Sequence, residues 1–402
     1  MNAVRTVRLR GQASQTLRRP NWWSWFVSSK APAPILTCDW HHSPLTTQQV
    51  ETHGSPPTPS VGRTSTVLTT HPPALPAEFL SRTHVLTPTK SVWWERILDR
   101  LRLPGLARRS SEYRRAWALF RKAPDFDVVI TDGAAVGFAF AFLQSLRSAR
   151  RPAHVMYDCY WYGGNWLHRK VMQLCLRQVD LCIVWSRVEC VRYAKEYRVS
   201  PCKFSFVQHH HTLKRYQFAV CDDGYIFAGG NSDRDYGLFL EAVRGLPISC
   251  ILATNLPRLL AGIQLPENVR VVSASPVEFR QLMARARIVV VPMRANLLRT
   301  GGQQTFLNAM YMRKPTIVTD PEGGSDYIAH QKTGVLVPYP DVHALRKAMV
   351  YLWEHPDEAR TIGERAREVS LPLTTERCNI EIWSLALKLV QNNRSKEAAK
   401  IS

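Results

Sequence analysis

The 402-residue chain carries 53 Lys and Arg against 32 Asp and Glu, a formal net charge of +21, with 45% hydrophobic residues. That length supports two or three domains around a large core, and that basicity calls for an anionic partner: a phosphate-bearing substrate, an acidic membrane surface or nucleic acid. No apolar run reaches the roughly 18 residues of a membrane-spanning helix, and the nine scattered cysteines form no CxxC pair and sit mostly in apolar runs, which argues against a disulfide scaffold and for reduced thiols in a cytoplasmic protein.

Residues 1–62 are rich in Pro, Ser, Thr and His with little periodicity, and are expected to be a disordered basic extension. The first 30 lack acids and carry five Arg, one Lys and "NWWSWF"; a disordered tail is the leading reading, with a transit peptide or an interfacial anchor as alternatives. "TSTVLTTHPPALP" and "RTHVLTPT" offer two short strands. In "SVWWERILDRLRL", Trp93, Ile97 and Leu101 share a helix face, with Arg96, Arg100 and Arg102 off it. "PG" at 104–105 is expected to end that helix, and a second follows over 112–122 with Tyr113, Trp117 and Phe120. These helices are read first as core-facing. Trp and Arg together also suit peripheral membrane contact through 91–122.

From Asp127 onward, short β-rich runs alternate with helices: "DVVIT", "HVMYD", "LCIVWS" and "FSFVQ", then, from Tyr225, "YIFAGG", "ISCILAT", "VRVVS", "IVVVPM", "TIVTD" and "GVLVP". In the second group, helices are expected near 235–244, 255–262, 276–286, 301–312 and 324–329, with three more over 341–354, 356–369 and 375–391. The pattern predicts an α/β protein with two Rossmann-like, doubly wound parallel sheets facing a cleft. The expected units are the extension at 1–62, an N-terminal Rossmann-like domain at 63–210, a C-terminal Rossmann-like domain at 211–373 and a terminal helix and tail at 374–402.

Ligands of such sheets bind beyond the carboxyl ends of the strands, so the loops after strands carry the candidate residues. "GGNSDRDY" places Gly229, Gly230 and Asn231 at a turn with Arg234 just before a helix, a combination suited to phosphate although neither GxGxxG nor a P-loop is present. Ser273, closing "VRVVS", is counted with the same donor-binding set. "RTGGQQTFLNAM" gives Thr300 as an N-cap with Gln303 completing a capping box, Gly301 and Gly302 for close backbone approach, and a helix start with free N–H groups for a diphosphate. Asn308, two turns in, could hydrogen-bond a ribose. In the first half, Asp132, Asp158 and His209 end strands and are the catalytic candidates. Three consecutive histidines, His209–His211, do not make a metal site when neighbours on a strand point to opposite faces.

The stretch "NAMYMRKPTIVTDPEGGSDYIAHQKTGVLVPYPDVHALRKAM" resembles the C-terminal half of the two-Rossmann nucleotide-sugar glycosyltransferases, group 1 or family 4, and "YIFAGGNSDRDYGLFLEAV" resembles their first C-domain strand and helix. The resemblance spans about residues 125–390 and is strongest over 225–350. It implies a GT-B fold and metal-independent, retaining transfer of a sugar from a nucleoside diphosphate donor to a carbohydrate or lipid-linked acceptor, without a cofactor and without nucleic acid. Arg234 falls on the family's phosphate-contacting lysine, and Asp158 falls near a histidine that contacts the donor sugar. The family's two glutamates fall on Thr300 and Asn308, so one carboxylate is replaced by a hydroxyl and the other by an amide. A sugar-nucleotide epimerase or phosphorylase on the same fold, and a non-catalytic binder of glycans or nucleotide sugars, are the alternatives.

Overall fold

The computed structural model describes residues 65–69, 73–86, 104–147, 151–159, 161, 164–214, 216, 219–295, 297–320 and 322–401, and residues 63–402 form one compact unit. The expected extension at 1–62 and the helix expected over 91–101 lie outside the described residues.

The first half runs β1 (Val67–Thr69), α1 (Ala77–Leu80), β2 (Thr83–Val85), α2 (Pro104–Lys122), β3 (Val128–Asp132), α3 (Ala134–Ser145), β4 (Ala153–Tyr157), α4 (Trp166–Arg177), β5 (Leu181–Val184), α5 (Arg187–Tyr197) and β6 (Phe204–Phe206). Its six strands are parallel in the order β2-β1-β3-β4-β5-β6. The two short runs near the start thus become its edge. Alternate side chains leave opposite faces. Val67, Val128, Ile130, Val155 and Ile183 pack on one side, whereas Leu68 and Val129 meet Ala116, Leu119 and Phe140 of α2 and α3 on the other.

The second half runs β7 (Ile226–Gly229), α6 (Tyr236–Val243), β8 (Cys250–Ala253), β9 (Val269–Val272), α7 (Pro276–Arg285), β10 (Ile288–Val291), α8 (Gln303–Tyr311), β11 (Thr316–Asp320) and β12 (Val335–Pro338), followed by α9 (Val342–Glu354), α10 (Pro356–Ser370) and α11 (Thr375–Ile401). The strand order β12-β11-β10-β7-β8-β9 is again all parallel. Chain direction away from the first strand reverses between β7 and β10, so their carboxyl ends flank a crevice. In the first sheet the same reversal falls between β1 and β3.

Helix α11 returns to the first half. Ile382, Trp383, Ala386 and Val390 cover the face of the first sheet that its own helices leave open. The Trp383 Nε1 donates to Thr83 Oγ1 at 3.1 Å, and Arg394 pairs with Asp127 at 2.8 Å.

Three expected elements differ. The helix expected over 112–122 begins earlier, at Pro104, because a residue with no N–H fits a first helical turn whose N–H groups lack intrahelical partners. The helix expected over 255–262 is a single 3-10 turn, Pro257–Leu260: Pro257 holds Leu256 extended, and Gly262 leaves the helix with φ +76. The expected helix at 324–329 is likewise a turn, Gly324–Asp326.

Candidate functional site

The crevice between β7 and β10 gathers Gly229, Gly230, Arg234 and the start of α8. The β7–α6 turn is pinned to the β10–α8 loop by an isolated bridge between Arg234 and Met293 and by Asp235 N donating to Pro292 O at 2.8 Å. Arg234 is 3% exposed. Its Nε donates to Gly229 O (3.1 Å), its Nη1 to Ser232 O (2.7 Å) and Met293 Sδ (2.8 Å), and its Nη2 to Thr305 Oγ1 on α8 (2.9 Å). All four acceptors are neutral, and no carboxylate among the described residues hydrogen-bonds this cation. Burial lowers its pKa from the ordinary guanidinium value. Gly230 has φ +125, and a Cβ there would lie 2.8 Å from Arg234 Nη2, so only glycine fits.

The predicted Thr300 cap and Gln303 capping box do not form. Helix α8 starts at Gln303, its N-cap is Gly302 at φ +86, and no side chain caps it. Thr300 has a different partner. Its N–H and Oγ1 donate to Glu189 Oε1 at 2.6 and 2.9 Å, and Gln303 Nε2 donates back to Thr300 Oγ1 at 2.7 Å. Glu189 belongs to α5 of the other half, is 3% exposed, and also accepts from Trp185 N at 2.9 Å. Burial raises its pKa against these hydrogen bonds. A carboxylate of the first half is therefore in direct contact with Thr300. Sequence reasoning missed it because nothing local in α5 marks a residue that pairs 111 positions away.

Further contacts join the halves at the same place. Asp326 Oδ2 accepts from Ser186 Oγ (2.7 Å) and Arg187 N (2.8 Å), capping α5 from the opposite domain. Tyr327 accepts from His209 N at 2.9 Å and donates to Trp185 O at 2.6 Å. Asn308, expected to face a ribose, is instead tied to the inter-sheet linker: its Oδ1 accepts from Thr212 N at 2.9 Å. Ser273 lies outside the crevice, two strands away from β7. It bonds Asn255 Oδ1 at 2.8 Å, and Asn255 N donates to Asn231 Oδ1 at 3.0 Å, so Ser273 and Asn231 share a polar chain on the rim.

The three catalytic candidates meet in a cavity of about 560 Å³ at the reversal point of the first sheet, lined by Asp132, Asp158, Trp185, His209 and Lys214 among others. Asp158 adopts φ +58, a left-handed value that is uncommon outside glycine, and its Oδ1 accepts from Trp185 Nε1 at 3.0 Å. Asp132 is hydrogen-bonded to Tyr157, whose pKa is raised chiefly by burial. His209 stacks on His210 and meets Trp185 edge-on, both at 4.7 Å. His209 Nδ1 lies 2.8 Å from His210 N and 3.0 Å from His210 O, so the backbone of the next residue holds the ring. Burial pulls the His209 pKa down to about 4. Burial therefore favours the neutral ring at this position.

Residues 244–355 match the family described as Glycosyl transferases group 1. A 59-residue stretch is 44% identical to D-rhamnosyltransferase WbpZ of Pseudomonas aeruginosa, covering 14% of this chain and 15% of that protein's length. Among solved structures, a glycosyltransferase from Rickettsia africae superimposes with a TM-score of 0.56 at 14% identity, over 81% of this chain and 100% of that one. Sucrose-phosphate synthase of Thermosynechococcus elongatus gives 0.54 at 17% identity, over 79% and 84%. Anabaena HepE in complex with UDP gives 0.54 at 10% identity, over 83% and 100%. The fold is that of the GT-B class. The chain itself is a two-sheet GT-B protein, and a segment of its second half, residues 244–355, is similar to the group 1 glycosyl transferases.

Two outcomes follow. Replacing Glu189 with Ala leaves Thr300 and Trp185 donors unmatched inside the protein and should cost about 2–4 kcal/mol in urea unfolding, with Glu189→Gln costing less. His154, His209 and His211 have pKa values lowered by burial to about 3, 4 and 4, against about 6.5 in the unfolded chain. The unfolded chain binds protons that the fold refuses, so this contribution to stability is complete above about pH 6.5 and is lost as pH falls toward 4, at up to about 1.4 kcal/mol per pH unit for each ring. Glu189, with its raised pKa, acts in the opposite sense. Melting temperature measured from pH 7 to 4.5 should fall, and His154→Gln should flatten the slope.

Proposed function

We propose that this protein is a retaining, metal-independent glycosyltransferase of the family 4 type that uses a nucleoside diphosphate sugar. The observation that carries the reading is the buried Arg234 guanidinium, surrounded by neutral acceptors, beside the uncapped start of α8. A buried cation hydrogen-bonded only to neutral groups is costly, and an uncapped helix start attracts anions. The two lie at the reversal point of a sheet whose sequence matches a glycosyl transferase family. The diphosphate of a donor is the anion that these two features suit. In transfer, the bond from the sugar anomeric carbon to the diphosphate oxygen breaks and the acceptor hydroxyl oxygen bonds to that carbon. The hydroxyl proton passes to the departing diphosphate. The positive crevice stabilises the charge that develops there.

The acceptor is assigned to the cavity holding Asp132 and Asp158, whose carboxylates can accept hydrogen bonds from sugar hydroxyls, with the Trp185 and His209 rings alongside. A carbohydrate or lipid-linked acceptor fits this lining. The surface of α2, α3 and α4 supports a lipid setting. These neighbouring helices expose Trp117, Phe142, Leu146, Trp166, Leu167 and Val171. Their sequences hold nine Lys and Arg against one acid, Glu112. Apolar and aromatic side chains among cations suit an anionic membrane surface.

Calorimetric titration with UDP, GDP and their sugars should give a Kd within about 1 μM to 1 mM for one base, and absence of binding by every nucleoside diphosphate removes the reading. Arg234→Lys keeps the charge but loses the fork of donors, and should weaken that binding at least about tenfold. For the membrane, sedimentation with vesicles should show binding that requires anionic lipid. A Trp166→Ser, Leu167→Ser double variant should lose it, and equal binding to neutral vesicles would contradict the assignment.

A further inference from the structure

Asp233 and Arg299 form an ion pair inside the donor crevice, their side chains only 16% and 8% exposed. Asp233 belongs to the β7–α6 turn and Arg299 to the loop that enters α8, so the pair closes the crevice from its two walls. The Asp233 carboxylate lies where an anion would approach α8: a Cβ on Gly301 would stand 3.7 Å from Asp233 Oδ2. Asp233 has φ +54, a left-handed backbone uncommon for a residue with a side chain. Its backbone O accepts from Arg294 N at 3.0 Å, which holds the turn independently of the carboxylate. Arg234 lies close enough to be influenced by both members of the pair. Two guanidinium groups and a helix start therefore lie beside the Asp233 carboxylate.

We infer that Asp233 is a resident counter-anion, occupying the diphosphate seat until the donor arrives, and that Arg299 is a further diphosphate-binding residue released to the ligand when Asp233 turns away. This rests on the nucleoside-diphosphate reading above. The carboxylate satisfies Arg299 while the crevice is empty, and a diphosphate, carrying more charge, competes for the same guanidinium. Binding is an exchange of one anion for another, so removal of the resident anion favours the ligand.

The test is titration of UDP, GDP and inorganic pyrophosphate into the full chain and into Asp233→Asn and Arg299→Lys variants, with melting temperatures measured alongside. Asparagine tolerates the left-handed backbone and leaves the Arg294 bond intact. Asp233→Asn should bind the preferred nucleoside diphosphate about five- to tenfold more tightly, with a larger ligand-induced rise in melting temperature. Arg299→Lys should bind it about tenfold more weakly, and pyrophosphate should give the same ranking. If the native protein binds and Asp233→Asn binds equally or less tightly, the inference falls and the donor reading stands. Should Asp233→Asn fail to fold, unchanged affinity in Arg299→Lys overturns the inference and a tenfold loss sustains it. If neither the native chain nor Asp233→Asn binds any nucleoside diphosphate, both readings fall together.

Discussion

A guanidinium held away from water and bonded only to neutral oxygens and a sulfur is the constraint around which the second half is arranged. Arg234 joins three pieces of chain: the end of β7 through Gly229 O, its own turn through Ser232 O, and α8 through Thr305. That requirement explains why Gly230 has no side chain and why the turn is bridged to Met293. A parallel sheet that reverses its winding beside β7 leaves a crevice at this point, and Arg234 is buried at its base.

The same crevice is tied to the other half of the molecule. Glu189 reaches from α5 to Thr300, Asp326 caps α5 in return, and Tyr327 bridges the ends of β5 and β6. These contacts are short and largely buried, so the loop that presents Gly301 and Gly302 cannot move without disturbing the inter-domain seam. The position of that loop and the relative placement of the two sheets are therefore mechanically linked. Thr300, where the resemblance would put a carboxylate, is instead hydrogen-bonded to the Glu189 carboxylate of α5. The Asn308 amide is engaged by Thr212, so it serves the linker that also lines the cavity holding Asp132 and Asp158.

Most strands of both sheets were legible because a strand buried on both faces is a continuous apolar run, and that signal is local. The loops after β7 and β10 were legible because parallel sheets place ligands beyond their carboxyl ends, whatever the side chains do. Helix starts were less so. Thr300 carries every local mark of an N-cap, but a buried carboxylate from α5 outcompetes the helix for its hydroxyl and its N–H. Pro104 marks a boundary, and whether it ends or begins a helix depends on which side the packed segment lies.

By itself the sequence determined the alternation of strands and helices, the two sheets, the glycine-bearing turn before Arg234 and the excess of positive charge. These follow from periodicity and residue chemistry within a few positions. Only the tertiary structure decided that Arg234 is buried, that Glu189 serves Thr300, that Asp233 neutralises Arg299, and that Asp132, Asp158 and His209 open into one cavity. Each of these depends on residues about 30 to more than 100 positions apart. Hydrogen bonds and charges act through space over a few ångströms, and chain separation carries no record of that distance until the sheets are assembled.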